Sequence, residues 1–274
     1  MRIVPLLGCL LVVGALGTPL QAAGEGHWAV VNHHRIYFEV YGTGRPLLLL
    51  HGGGGDIRGA WGKQIEEFSR THEVIAPEQA GHGHSPDVEG PMTYARMTED
   101  TAALLKLLNV SGVDVVGWSD GGIEALMLAV RYPELIRRVV VTGANVDPSG
   151  LSEKDLEEMR TTRPDQLRAA DPGSYYALYS PDGPEHAKVI SAKLNQLWVT
   201  HPTPDELSFE LLHKIHVPVL VMAGDHDEIL LEHTIKIYRA IPGAQLWILP
   251  GTGHDTFVQR PEWTNPIVLS FLDR

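Results

Sequence analysis

The sequence predicts an α/β protein: a mostly parallel central sheet with helices on both faces and a helical cap inserted near the carboxyl ends of the strands. Three observations carry this. Short apolar runs alternate with segments of helical periodicity, which is the pattern of a parallel sheet built from strand-helix-strand units. Several of the apolar runs end in glycine-rich or acidic loops, where open α/β folds place their ligands. The alternation breaks once, between 145 and 216, where the chain turns polar and Pro-rich. A length of 274 residues suits one such domain with an insertion, because cores stop growing at about 250–300 residues.

The chain opens with "MRIVPLLGCLLVVGALGTPLQAAGEG": Arg2, an apolar run from Ile3 to Leu16, then small residues at Ala22 and Ala23. This is the anatomy of a secretory signal peptide over residues 1–22. The run is too short and too broken by Pro5, Gly8 and Gly14 for a spanning helix, which needs ~20 apolar residues. The expectation is a periplasmic or secreted protein without stable membrane association after cleavage. Cys9, the only cysteine, leaves with the leader, so neither a disulfide nor a thiol nucleophile is available.

"HWAVVNHHRIYFEVYG" reads as a hairpin, two alternating strands around a polar turn at Asn32 to Arg35. "RPLLLLHGGGG" gives a continuous apolar run, Leu47 to Leu50, as expected of a strand covered on both faces. "HEVIAP" is a strand and "TYARMTEDTAALLKLLN" a helix through Met97, Leu104, Leu105 and Leu108. "VDVV" is a strand running into "GWSDGG", followed by a helix from Gly122 to Tyr132 and strand "RRVVVTGA". After the break, with helical pieces "LSEKDLEEMR" and "EHAKVISAKLNQLWV", the pattern resumes with strand "VPVLVMAG", helix "LEHTIKIYRAI", strand "AQLWILP" and a closing helix to Phe271. The predicted division is a core of residues 23–144 and 217–274 with a cap of residues 145–216.

Composition sets outer limits on function. Hydrophobic residues make up 43% and charged residues 20%, as in an ordinary globular domain. The net charge of −12 argues against a nucleic-acid partner, since polyanion binding is driven by clustered Lys and Arg.

A serine hydroxyl is a weak nucleophile at neutral pH; it needs a base, an acid that orients the base, and donors for the developing oxyanion. "GWSDG" places Ser119 between Gly117 and Gly121, after a strand and before a helix, which is the G-x-S-x-G elbow in its proper context. "PGTGHDTF" places His254 after the last strand, the position for the base. "VMAGDHDEI" offers Asp225 and Asp227 as competing acids after strand "VPVLV", with Asp227 preferred. "HGGGG" supplies unobstructed backbone N–H groups, so Gly53 and the N–H of Asp120 form the expected oxyanion hole. Gly52, Trp118, Trp198 and the Asp120 side chain are the candidate substrate contacts. In the cap, Tyr175, Tyr176, Tyr179, Leu197 and Trp198 either line a pocket or pack the lid. No cofactor or metal is expected: His33, His34, His82 and His84 read as turn residues, and His51 as a brace for the glycine loop.

From about Trp28 to its end the chain resembles the α/β-hydrolase superfamily. Besides the elements above, "PEQAGHGHS" is similar to the family's D-x-R-G-x-G-x-S segment, with Glu78 and Ala80 where Asp and Arg are usual. "GDHDEI" is similar to the G-x-x-D acid motif, which falls on Asp227. "GWSDGGIEAL" with "VVVTGAN" most resembles the biphenyl-hydrolase-like serine hydrolases. That resemblance implies hydrolysis of α-amino acid esters, with an acidic residue at the position of Asp120 holding the substrate amine; alternatively, the Asp120 side chain only caps the following helix. The reading is an exported serine hydrolase acting on small carboxylic esters. The same triad also serves amide, peptide, lactone or carbon-carbon bonds, and a non-catalytic binding protein on this fold is the alternative of another class.

Overall fold

Positive φ at Asn32 (44°) and His33 (72°) closes a tight two-residue turn between β1 (Glu25–Val31) and β2 (His34–Tyr41), the geometry that matches the twist of paired antiparallel strands. The computed structural model describes residues 24–200, 202 and 206–274; the expected leader lies outside the described residues. Asn32 Nδ2 donates to Asp100 Oδ1 at 2.8 Å and His34 Nε2 lies 2.9 Å from Asp100 Oδ2, so the hairpin is tied to the helix behind it.

The core continues through β3 (Arg45–Leu50), α1 (Ile57–Phe68), β4 (His72–Glu78), α2 (Tyr94–Leu107), β5 (Val113–Trp118), α3 (Asp120–Arg131) and β6 (Ile136–Thr142). Helices α4 (Glu153–Thr161), α5 (Tyr175–Tyr179), α6 (Ala187–Thr200) and α7 (Phe209–Leu212) follow. The chain then completes β7 (Val219–Gly224), α8 (Leu231–Ala240), β8 (Gln245–Leu249), α9 (Thr256–Gln259) and α10 (Pro261–Leu272). The eight strands form one sheet in the order β1-β2-β4-β3-β5-β6-β7-β8. β2 pairs antiparallel with β1 and β4, and every other pair is parallel.

The sheet is covered on both faces. Along β3 the side chains alternate: Leu48 and Leu50 join a cluster with residues of α2, α3 and α8, while Leu47 and Leu49 join Trp61, Phe68 and Phe271 of α1 and α10. A strand with no solvent face reads as an unbroken apolar run, which is why "LLLL" was legible. Cap helix α6 adds Ile190, Leu194 and Leu197 to the first cluster, a helical stripe that seats the cap on the core, with Ile190 against Gly81 and Leu194 beside Gly54.

Two elements differ from expectation. α1 was not evident from periodicity, because Gly59 and Gly62 lie inside it and each costs a helix ~1 kcal/mol against Ala. It forms because Asp56 Oδ1 accepts from Gly59 N at 2.7 Å, Glu78 Oε1 accepts from Ile57 N at 3.4 Å, and Trp61, Ile65 and Phe68 are buried. α3 starts at Asp120 rather than Gly122, so the elbow runs into the helix with no spacer.

Candidate active site

Ser119 sits at φ 56°, ψ −122°, a left-handed conformation that a β-carbon disfavours. Its N–H donates to Thr142 O at 2.9 Å, and its carbonyl accepts from Gly122 N and Ile123 N. The turn is sharp enough that a β-carbon at Gly117 would lie 2.2 Å from Gly121 O, and one at Gly121 would lie 2.1 Å from Leu50 O. Both contacts are with backbone, so no side-chain movement relieves them. The glycines flanking Ser119 are dictated by this crossing.

His254 follows β8, and its Nδ1 lies 2.7 Å from Asp227 Oδ1. Asp227 Oδ1 also accepts from Ile229 N at 2.9 Å, which fixes the carboxylate on its loop. Asp225, the competing acid, turns elsewhere: it is exposed, and its Oδ1 accepts from Thr252 N at 3.2 Å and meets His226 Nδ1 at 2.8 Å. It lashes the acid loop to the histidine loop. Burial disfavours the charged form of His254, but the hydrogen bond and charge of Asp227, with Glu228 and Asp255, outweigh it and raise the imidazole above its ordinary value. A proton on Nδ1 facing Asp227 leaves Nε2 as the basic nitrogen. Gly143 (φ 63°), which sequence reasoning did not single out, makes room for the ring: a β-carbon there would stand 2.6 Å from His254 Cε1.

The glycine loop after β3 is held by two buried histidines. His51 Nδ1 lies 2.8 Å from Gly52 O, and its Nε2 accepts from Gln79 N at 3.1 Å. His82 Nε2 accepts from Gly54 N at 2.9 Å, with Nδ1 3.1 Å from Ala80 O. Each ring thus carries its proton on Nδ1 and uses the bare Nε2 as an acceptor. Burial keeps both neutral, pushing His51 down to about 4 and His82 to about 3, the latter with help from His51 itself. His51 is the expected brace. His82, expected only as a turn residue, is a second one, and it stands 2% exposed. His84 is half-buried, stacked on Tyr37 at 4.0 Å and 3.0 Å from Glu78 Oε2. Glu78, in the place where the family usually has Asp, accepts from His84 N and Ile57 N and so joins the GHGHS turn to α1. Gln79 Nε2 donates to Glu124 at 2.8 Å and to Thr101 at 3.1 Å; burial raises Glu124 to about 8.

Asp120 does not cap its own helix. Its Oδ1 accepts from Tyr94 Oη at 2.8 Å and from Trp198 Nε1 at 3.0 Å; Oδ2 lies 3.1 Å from the same indole nitrogen. Burial raises this carboxyl to about 6, against the two donors and the nearby His254.

These groups meet at one cavity of about 160 Å³, lined by Gly53, Ser119, Asp120, Trp198 and His254 together with Glu228. Asn145, Leu151, Met159 and Ile229 complete its wall. Of the cap aromatics, Trp198 alone reaches it: Tyr175 and Tyr179 pack around His84, Tyr176 packs against the core, and Leu197 is in the core. Trp118 is turned away from the expected substrate contact, its indole N–H donating to His254 O at 3.0 Å. Gly52 lies beneath the nucleophile, where a β-carbon would be 3.0 Å from Ser119 Cβ.

Comparison with known proteins agrees with this fold. The profile of the Alpha/beta hydrolase family matches residues 47–267. The human protein named serine hydrolase BPHL is 27% identical over 94% of this chain and 88% of its own length. A 2-hydroxymuconate semialdehyde hydrolase of Pseudomonas putida is 28% identical over 94% of this chain and 97% of that protein. The crystal structure of a serine hydrolase involved in carbazole degradation superposes with a TM-score of 0.73 at 24% identity, covering 92% of this chain and 99% of that one. With a family profile spanning most of the chain, an eight-stranded hydrolase sheet and relatives that are hydrolases along nearly their whole length, the chain belongs to the alpha/beta hydrolase family and is a hydrolytic enzyme.

Proposed function

We propose that the protein is an exported serine hydrolase that cleaves small carboxylic esters through an acyl-enzyme. The observation that supports this most is the convergence of the Ser119 elbow, the His254–Asp227 pair and the Gly53 loop on one cavity. Ser119 Oγ attacks the ester carbonyl while His254 Nε2 takes its proton. Asp227 holds the imidazole and balances its charge. The N–H groups of Gly53 and Asp120 receive the oxyanion; one such donor is worth roughly 3 kcal/mol of transition-state stabilisation. His254 returns the proton to the departing alcohol. Water, activated by the same histidine, then attacks the acyl-enzyme, releasing the acid and regenerating Ser119.

On the acyl side, the Asp120 carboxylate reads a positively charged substrate group, as the resemblance to the biphenyl-hydrolase-like group implies. Its burial at the cavity, with no lysine or arginine among the described residues paired to it, supports this role. Tests of the reading use short aryl esters against matched amides and lactones. Esters are expected to turn over fastest, and Ser119→Ala is expected to abolish all turnover. Faster cleavage of the amides or lactones would reassign the bond. Export is tested by cell fractionation with N-terminal sequencing: the protein is expected outside the cytoplasm with its N-terminus near residue 23, and full-length protein retained in the cytoplasm would contradict it.

A further inference from the structure

Asp120 is a carboxylate that is 5% exposed, and no lysine or arginine among the described residues pairs with it. Neutral donors hold it instead. Oδ1 takes both the Tyr94 hydroxyl and the Trp198 indole, while Oδ2 has only the longer contact to the same indole. Oδ2 is also the atom laid against the glycine loop, since a β-carbon at Gly53 would stand 2.4 Å from it and 2.8 Å from Trp198 Cζ2. A carboxylate oxygen accommodates about two donors. Oδ1 is therefore filled, and Oδ2 keeps its remaining capacity beside the cavity.

The two donors come from different parts of the fold. Tyr94 is the first residue of α2 and is fully buried in the core. Trp198 lies near the end of cap helix α6. That helix is also tied to the core midway along and just before its start: Lys193 Nζ donates to Asp87 at 2.7 and 2.8 Å, and His186 Nε2 lies 2.9 Å from the same carboxylate. Seating the cap therefore delivers the indole N–H to Asp120.

We propose that Trp198 and Tyr94 are positioning residues that hold Asp120 as an anion with Oδ2 facing the cavity, so that seating of the cap creates selectivity for substrates with a positive charge beside the scissile carbonyl. The inference rests on the ester-hydrolase reading above and adds where its charge selectivity comes from and what switches it. The charged or titratable groups around Asp120 are Tyr94 on α2, His254 after β8, Glu124 one turn along α3 and Glu228 across the cavity. Tyr94 stays a donor throughout the working range, because burial and Asp120 push its ionisation well above the ordinary value.

The test compares two esters of one alcohol that share a shape and differ in charge: the trimethylammonioacetyl ester and its neutral 3,3-dimethylbutanoyl isostere. The ratio of their kcat/KM values cancels the titration of His254, and the quaternary nitrogen does not titrate. In the wild type the ratio is expected to exceed unity at neutral pH and to fall as pH drops through about 6, where Asp120 takes up a proton. Removing a donor destabilises the anion, so Trp198→Phe is expected to move that midpoint upward by about one pH unit, a tenfold change in the ionisation constant of the size a hydrogen bond to a charged group supplies. Tyr94→Phe removes the other donor and is expected to shift it the same way, which keeps the inference open to refutation if one variant fails to fold. Asp120→Asn is expected to give a low ratio that does not change with pH.

A pH-independent ratio in the wild type, or a midpoint unmoved in both donor variants, overturns the inference while leaving the hydrolase intact. Failure of the wild type to cleave either ester is a different result and counts against the reading on which the inference rests.

Discussion

Ser119 is held where a glycine would be more comfortable. Backbone strain of this kind costs about 1–3 kcal/mol and persists where function requires it. Ser119→Gly is therefore expected to abolish turnover and to raise stability by about 1 kcal/mol, read as a higher midpoint of urea unfolding; lower stability would contradict the strain assignment. His254 makes a second residue-scale prediction. Only the neutral imidazole accepts the serine proton, and the folded pKa is raised, so kcat/KM for a neutral ester is expected to fall as pH drops through a value above 6.5. Asp227→Asn is expected to lower kcat by about 10⁴-fold, because the imidazole loses the partner that sets its tautomer. At this scale the pairing of His254 with Asp227 and the strained turn at Ser119 were legible: Ser119 and His254 were picked out by motif and chain order, and Asp227 by the spacing of "GDHD". Gly143 and Tyr94 were not, because what they do depends on contacts with residues far along the chain, and no local pattern marks them.

Among the elements, the glycine loop carries the least regular structure and the most bracing. His82 accepts from Gly54 N and His51 accepts from Gln79 N. His82→Phe leaves the Gly54 N–H unpaired and is expected to cost about 1–3 kcal/mol of stability and, with the loop serving the oxyanion as proposed, to lower kcat more than it changes KM. The two histidines also set an acid limit. Unfolded, each binds a proton near 6.5; folded, only at about 4 and about 3. The unfolded chain thus binds more protons below 6.5, and stability is expected to decline from there down to about 4 through His51 and about 3 through His82. Urea midpoints measured against pH check this, and the decline should be shallower in His82→Phe. The sequence marked His51 as a brace from its place before the glycines. It could not mark His82, whose "GHGH" context reads as an ordinary turn until α1 and the loop close over it. The same holds for α1, whose glycines mask a helix that burial and Asp56 secure.

For the molecule as a whole, the sheet was readable because the hairpin strands alternate and the parallel strands are apolar runs, and the core helices other than α1 were readable from their apolar stripes. The cap was readable as a break in rhythm holding two helical pieces, which form α4 and α6, but its seat was not. Its seat on the core depends on α6 residues, Ile190, Leu194, Leu197, Lys193 and Trp198, whose partners lie far along the chain: Asp87 is 106 positions from Lys193 and Asp120 is 78 from Trp198. The net charge of −12 acts at this scale too. A cationic ester is drawn toward an acidic protein and a neutral one is not, so kcat/KM for the cationic ester is expected to fall with added salt while that of its neutral isostere stays level.

The central claim, that Ser119 is a nucleophile activated by His254, meets its most direct measurement in covalent labelling by a fluorophosphonate followed by peptide mass mapping. The account predicts one adduct per chain, on the peptide carrying Ser119, absent in Ser119→Ala and formed far more slowly in His254→Ala. An unlabelled wild type, or an adduct on another residue, would contradict it.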